Sequence, residues 1–295
     1  LQTIKYLHED KSVISIQKGN SKALISLKNG GSLVHLTLNN KVVVKDFSEE
    51  ISYEFSYASA ILFPFANRIL NGEYEFQNKK HQLKQNAQGK DAIHGLLYNK
   101  VFTVTNREQH TNYTSVTLTY NQEIKENGFP FLFKVSLTYV LFEKELSLKA
   151  TVTNKGVNSF PFTIGWHPYF YAVSREESFL EFKTEKKIIH NEKMIPVNME
   201  ECKLSGSFQI ANQKLDNCYL LKENYIVYKT EDYSIKLSSS YDKNFIQIYT
   251  PEVDNYLAIE PITGPSNSFN NNLGLKTLLP KDTFNIQWTI QLQDE

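Results

Sequence analysis

The chain has 295 residues, 32 basic against 32 acidic side chains, and 41% hydrophobic residues, among them 19 Phe and 17 Tyr. A balanced charge with no basic run lacks the electrostatic footprint of a nucleic-acid binder, and no uninterrupted apolar run is long enough to span a bilayer. Cys202 and Cys218 make neither a disulfide framework nor a metal-ligand spacing.

A cytoplasmic setting is therefore expected. The chain opens at Leu1 rather than Met, and a removed export signal would leave no trace. Neither a nucleic acid nor a membrane is an expected partner. The assembly is expected to be a monomer or homodimer.

In chain order, the first departure from simple patterning is Phe63-Pro64-Phe65-Ala66-Asn67-Arg68. Arg68 is one of only three arginines, with Arg107 and Arg175, so its place in an aromatic, proline-containing segment stands out. His94 follows in Asp91-Ala92-Ile93-His94-Gly95, beside a glycine turn. Strict alternation then begins. Val116, Leu118 and Tyr120 share one face, as do Val135, Leu137 and Tyr139. Leu146, Leu148, Ala150 and Val152 repeat the pattern after a short turn at Phe142 to Glu145, which predicts an antiparallel hairpin with one buried face.

The pattern breaks again over Pro161 to Phe170, where His167 lies between Trp166 and Pro168 with Tyr169 and Phe170 beyond. This reads as an aromatic cradle that would bury the imidazole and tune it towards neutrality. Asp216 lies in Leu215-Asp216-Asn217, and Gln247 in Phe245-Ile246-Gln247-Ile248-Tyr249. Glu260 ends the run Tyr256-Leu257-Ala258-Ile259, and alternation places it on the face of Ala258 and Tyr256. A carboxylate at a strand terminus facing a pocket is a reasonable general base. The Asn-rich stretch Ser266 to Asn272 reads as a surface loop. Phe284, Ile286, Trp288, Ile290 and Leu292 form one face of a final strand.

No helical stripe exceeds a turn or two, and no linker divides the chain. The expected fold is all-β: one large antiparallel β-sandwich formed by a single domain over residues 1–295. Taken singly, each polar residue has an ordinary structural explanation. His167 could be a core histidine, Glu260 a solvated strand-end carboxylate and His94 a loop histidine. Asp216 could be an Asx turn, Gln247 an outward-facing strand residue and Arg68 a surface ion pair. There is no HExxH, no HxH and no glycine-rich phosphate loop, so neither a metal nor another cofactor is expected.

Together, six segments resemble the aldose 1-epimerase (galactose mutarotase) family. They are LFPFANRILNGEYEF (62–76), DAIHGL (91–96), PFTIGWHPYF (161–170), KLDNCYLL (214–221), NFIQIYT (244–250) and LAIEPITGPSNSFN (257–270), in the family's order. The resemblance implies a galactose mutarotase-like supersandwich with a sugar site on its concave face. It also implies an isomerase that interconverts the anomers of a free hexose such as glucose or galactose. In that reading Glu260 is the general base, His167 the general acid and His94 a second site histidine. Asn67, Arg68, Asp216 and Gln247 would bond the sugar.

His94-Gly95-Leu96 and Gly165-Trp166-His167-Pro168 look closer to a shorter bacterial branch than to the long mutarotases. The related hexose-6-phosphate epimerases typically carry an arginine soon after the His-Gly, where this chain has Leu96-Leu97-Tyr98. A dianion usually calls for Arg or Lys clamps, so an unphosphorylated sugar is favoured, with Lys90 and Lys100 as the residues that keep a phosphosugar open. Two further functions are compatible with these residues: a non-catalytic sugar-binding sandwich, and a hydrolase using Asp216 and Glu260 as its carboxylate pair.

Overall fold

In the computed structural model, residues 3–87 and 89–294 are described. The alternating segments become three principal antiparallel sheets, of nine, eight and five strands. Aromatic and β-branched residues at every second position suit a pleated surface that buries one face. The nine-stranded sheet contains the expected hairpin, Phe133–Leu141 against Glu145–Asn154, in continuous register from Phe133↔Asn154 to Leu141↔Leu146. The last strand, Thr283–Leu292, lies beside Glu145–Asn154, so Leu148 stands opposite Trp288.

The eight-stranded sheet carries the site. Its order is Pro196–Leu204, Thr184–His190, Asp216–Leu221, Phe245–Tyr249, Tyr256–Ile262, Gly165–Trp166 and Ile61–Leu62, with Tyr169–Tyr171 also paired to Tyr256–Ile262. The two large sheets meet in one buried cluster that includes Leu137, Leu148 and Trp288 from the first and Trp166, Ile248 and Ile259 from the second. The rings of Trp166 and Trp288 lie 6.2 Å apart across this seam. The five-stranded sheet, from Ile4–Tyr6 to Lys41–Val44, adds Ile14, Ile16, Ile25 and Leu36 to the same cluster. Tyr139 ties it to the sandwich by donating its hydroxyl to the carbonyl of Gly31 at 2.6 Å.

Among the described residues the α-helices are two four-residue turns, Tyr53–Ser56 and Ser268–Asn271. Neither is long and apolar enough to cross a membrane. The second turn corrects in part the expectation of a surface loop at Ser266 to Asn272. Ser266, Asn267, Ser268 and Phe269 are buried, while Asn270 and Asn272 are exposed. Phe269 packs edge-on against Phe65 and Tyr74, with centroids 5.7 and 4.8 Å away. Apolar packing by one aromatic thus draws a polar stretch inside.

Candidate active site

Antiparallel register decides which side chains meet. Gln247 stands opposite Glu260 on one neighbouring strand and Cys218 on the other. Two residues along, Tyr249 stands between Asp216 and Ala258, and Ala258 faces Tyr169 across the next ladder. Period two places all of these on one face. The alternate residues Ile246, Ile248, Leu257 and Ile259 enter the core. Glu260 therefore lies on the face that the sequence indicates, with Ala258 and Tyr256. However, it sits inside the strand Tyr256–Ile262, not at its end, and is 3% exposed.

His167 reaches the same face because Trp166, one residue earlier, pairs with Ile61 and points into the core. The backbone of His167 is fixed on both sides. Its N–H donates to Ala60 at 3.1 Å, and its carbonyl accepts from Ser59 at 2.7 Å. The ring stacks on Tyr169 at 5.0 Å and 5°, and Tyr169 stacks on Phe47 at 4.7 Å. The aromatic cradle is thus Tyr169 and Phe47. Trp166 and Phe170 face the other way, into the core cluster, because neighbours in an extended segment alternate sides.

The remaining site residues come from two irregular segments braced against each other. Arg68 pairs with Ile93 in a two-stranded ladder. Asn67 and His94 both take left-handed backbone conformations, φ 54° and 58°, and the His94 N–H donates to the Asn67 carbonyl at 2.9 Å. Gly95 follows at φ 76°, and a Cβ there would lie 2.2 Å from the Phe63 carbonyl oxygen. Only glycine allows this approach, which lets the next residue, Leu96, bond Phe63 at 2.7 Å. Asn67 Oδ1 accepts from Arg68 Nη1 at 3.3 Å. From behind, the buried Asn267 donates its N–H to the Arg68 carbonyl and accepts the Leu70 N–H at 3.1 Å.

These segments close on a cleft of about 280 Å3 lined by Asn67, Arg68, His94, His167, Asp216, Gln247 and Glu260 together. His167 Nε2 lies 3.5 Å from Glu260 Oε1, the His94 and His167 rings are 5.0 Å apart, and Gln247 donates to Asp216 at 2.6 Å. His94 Nδ1, His167 Nδ1 and Glu260 Oε2 are buried without a hydrogen-bond partner among the described residues. Buried polar atoms are nearly always paired, so three orphans at one cleft mark a place for a polar ligand. The lining also includes Tyr249, Phe47, Ile51 and Phe55, to which the sequence alone assigns no role. Tyr249 was legible, being two residues beyond Gln247. Phe47, Ile51 and Phe55 come from a segment with no distinguishing signal.

Burial governs the electrostatics. It pushes the Glu260 carboxyl well above its ordinary range, aided by the nearby Asp216 charge and opposed by Arg68. It lowers His167 to about 3, and lowers His94 strongly, with the His167 and Arg68 charges adding to the effect. Asp216 is raised by burial, against the pull of Arg68 and the Gln247 amide. The pair therefore favours a neutral carboxylic acid beside a neutral imidazole, with its one proton on Glu260.

Donor atoms of His94, His167 and Glu260 lie within 4.8 Å of one another. That spread is wider than the ~3.4 Å edge of a tetrahedral site with ~2.1 Å bonds. Neither histidine Nδ1 has the carbonyl or carboxylate partner that usually fixes a ligating imidazole. The trio suits proton transfer better than metal coordination.

The same fold recurs in solved structures. A galactose mutarotase-like protein from Clostridium acetobutylicum superimposes with a TM-score of 0.86 at 21% identity, covering 96% of this chain and 95% of that one. A galactose 1-epimerase from Lactobacillus acidophilus gives 0.81 at 17% identity, covering 98% and 97%. In sequence, the protein YihR of Escherichia coli (strain K12) is 28% identical over 291 residues, 93% of this chain and 91% of its own length. Residues 12–289 match the aldose 1-epimerase family, and the chain belongs to it.

Proposed function

We propose that this protein is an aldose 1-epimerase that interconverts the α and β anomers of a free hexose such as glucose or galactose. The observation that carries this reading is the buried His167–Glu260 pair, 3.5 Å apart, in a cleft with unpaired polar atoms. Mutarotation must remove the proton from the anomeric hydroxyl and deliver one to the ring oxygen. Glu260, as carboxylate, takes the O1 proton. The C1–O1 bond becomes a carbonyl, the C1–O5 bond breaks, and the His167 imidazolium protonates O5. Rotation about C1–C2 presents the other carbonyl face, and the same transfers in reverse close the ring.

One mobile proton is enough for this cycle. Before substrate binds it resides on Glu260. Sugar hydroxyls, by bonding the carboxylate, and the Arg68 guanidinium, by its charge, favour transfer of the proton to His167 as substrate binds. His94, against His167, is held neutral and serves as a hydrogen-bonding partner at the ring-oxygen side. Asn67, Arg68, Asp216 and Gln247 bond the remaining hydroxyls and orient the ring.

A phosphosugar is disfavoured, because among the described residues Arg68 is the one fixed cation in the cleft lining. Lys100 is engaged in an ion pair with Glu126, and Lys90 lines a neighbouring groove. A hydrolase using two carboxylates is disfavoured by their partners, His167 for Glu260 and the Gln247 amide for Asp216. The optical rotation of fresh α-glucose, α-galactose and α-glucose 6-phosphate tests the reading. Accelerated decay is expected for at least one free hexose and not for the phosphate. Binding of the sugars without acceleration of any would instead support a non-catalytic sugar-binding protein.

A further inference from the structure

Two separate parts of the chain hold the segment that carries Asn67 and Arg68. The first is the strand Ala92–Ile93, where Ile93 pairs with Arg68 and the next residue, His94, donates its N–H to the Asn67 carbonyl. The second is the turn around Ser266 to Phe269. The Arg68 carbonyl accepts the backbone N–H of Asn267. Beyond it, the N–H of Leu70 donates to Asn267 Oδ1 at 3.1 Å, across 197 residues of chain. At the other end of the segment the Ala66 N–H donates to the hydroxyl of Thr163 at 3.1 Å, and that hydroxyl lies 3.5 Å from the hydroxyl of Ser268.

We propose that Asn267 is a positioning residue for sugar binding, which fixes through Leu70 the backbone from which Arg68 reaches the cleft. The inference rests on the sugar-site reading above. Asn267 does not line the cleft, so its effect must pass through residues that do. Among the described residues Arg68 is the one fixed cation in that lining, and no other side chain there can replace it. Arg68 Nη1 donates to Asn67 Oδ1 at 3.3 Å, so a shift of this backbone moves both sugar-binding residues together.

The residue type fits the role. Asn267 is buried and has a φ of 59°, a left-handed conformation that Gly adopts freely and that Asn and Asp tolerate. Conformation alone would be met by glycine. The oxygen is what glycine lacks, and it is held in place: Asn270 Nδ2 donates to Asn267 Oδ1 at 2.7 Å and to the Glu73 carbonyl at 2.9 Å. In both bonds made by the Asn267 side chain among the described residues, Oδ1 is the acceptor. A carboxylate at this position would keep both.

The test separates conformation from the acceptor. Asn267→Gly keeps the backbone conformation and removes the oxygen, whereas Asn267→Asp keeps both. Calorimetry with methyl α-glucoside and methyl α-galactoside, which cannot open their rings, reads binding apart from catalysis. Asn267→Gly is expected to weaken the tighter of the two about tenfold. Asn267→Asp should stay within about twofold of wild type, and kcat/KM for the free hexose should follow the same order. In an Arg68→Ala background, Asn267→Gly should change either quantity by less than about twofold, because the residue it positions is gone. A general loosening of the fold would instead lower both backgrounds alike. Should Asn267→Gly fail to fold, Asn270→Ala, which releases the amide, is expected to weaken binding about threefold. Wild-type affinity in the variant that folds, or equal losses with and without Arg68, would overturn the proposal. If the pattern holds in binding while no sugar is epimerised, the catalytic reading fails and the positioning role stands. A wild type that neither binds these glycosides nor epimerises a hexose would overturn both.

Discussion

His167 and Glu260 sit side by side in a place where water would solvate neither, and burial moves their proton affinities in opposite directions. The singly protonated pair therefore persists from the depressed pKa of His167, about 3, up to the raised pKa of Glu260. The expected profile of kcat/KM, corrected for spontaneous mutarotation, has no inflection near 6.5, where an unperturbed histidine would titrate. An acid limb centred at about 6–7 would contradict this.

The same shift predicts a gain in stability for Glu260→Gln. Because the folded-state pKa is raised, wild type loses stability as pH rises from about 4.5 towards that pKa, and an amide does not. The melting temperature of the variant should exceed that of wild type by a few degrees, about 2–4 °C per kcal/mol, and by more at pH 8 than at pH 4.5. A melting temperature below wild type at pH 8 would count against a buried neutral carboxyl. Alternation revealed which face Glu260 takes. It did not reveal that the residue lies within the strand, because burial depends on strands brought in from elsewhere in the chain.

At the scale of elements, the site depends on two segments that no periodicity describes. Residues 61–69 and 91–96 carry Asn67, Arg68 and His94, and their irregular backbone is what sets those side chains into the cleft. Gly95→Ala should therefore be severe. A Cβ at 2.2 Å from the Phe63 oxygen, on a residue at φ 76°, forces the two segments apart. We expect a loss of stability of about 2 kcal/mol or more, with a fall in kcat/KM beyond what unfolding explains. A variant with unchanged melting and unchanged kinetics would show that the close approach does not position His94. The hairpin around Phe142 to Glu145 was legible, since alternation and a short turn suffice. The Ser266–Asn272 segment was not: its composition signals a loop, while its burial follows from Phe269 packing on Phe65 and Tyr74.

Across the whole molecule, the sandwich rests on pairings between distant parts of the chain, such as Glu145–Asn154 with Thr283–Leu292. Sequence alternation indicated the strands and the fold class, but no local signal specified this order. The five-stranded sheet is joined to the sandwich partly through Tyr139 and Gly31. Tyr139→Phe leaves that buried carbonyl unpaired and should cost about 1–3 kcal/mol, seen as a lower denaturation midpoint with an unchanged slope. Activity should survive, because the cleft lies on the opposite face of the eight-stranded sheet. Loss of activity without loss of stability would mean the site is coupled to that junction.

If Glu260 and His167 together move the protons of ring opening, the loss of either side chain must slow the reaction. The most direct measurement is the polarimetric rate for wild type, Glu260→Gln and His167→Asn on the best free hexose, with each fold checked by circular dichroism. Each variant is expected to remain folded and to lose about 10²–10⁴-fold in rate. Folded variants that epimerise at close to the wild-type rate would contradict the claim.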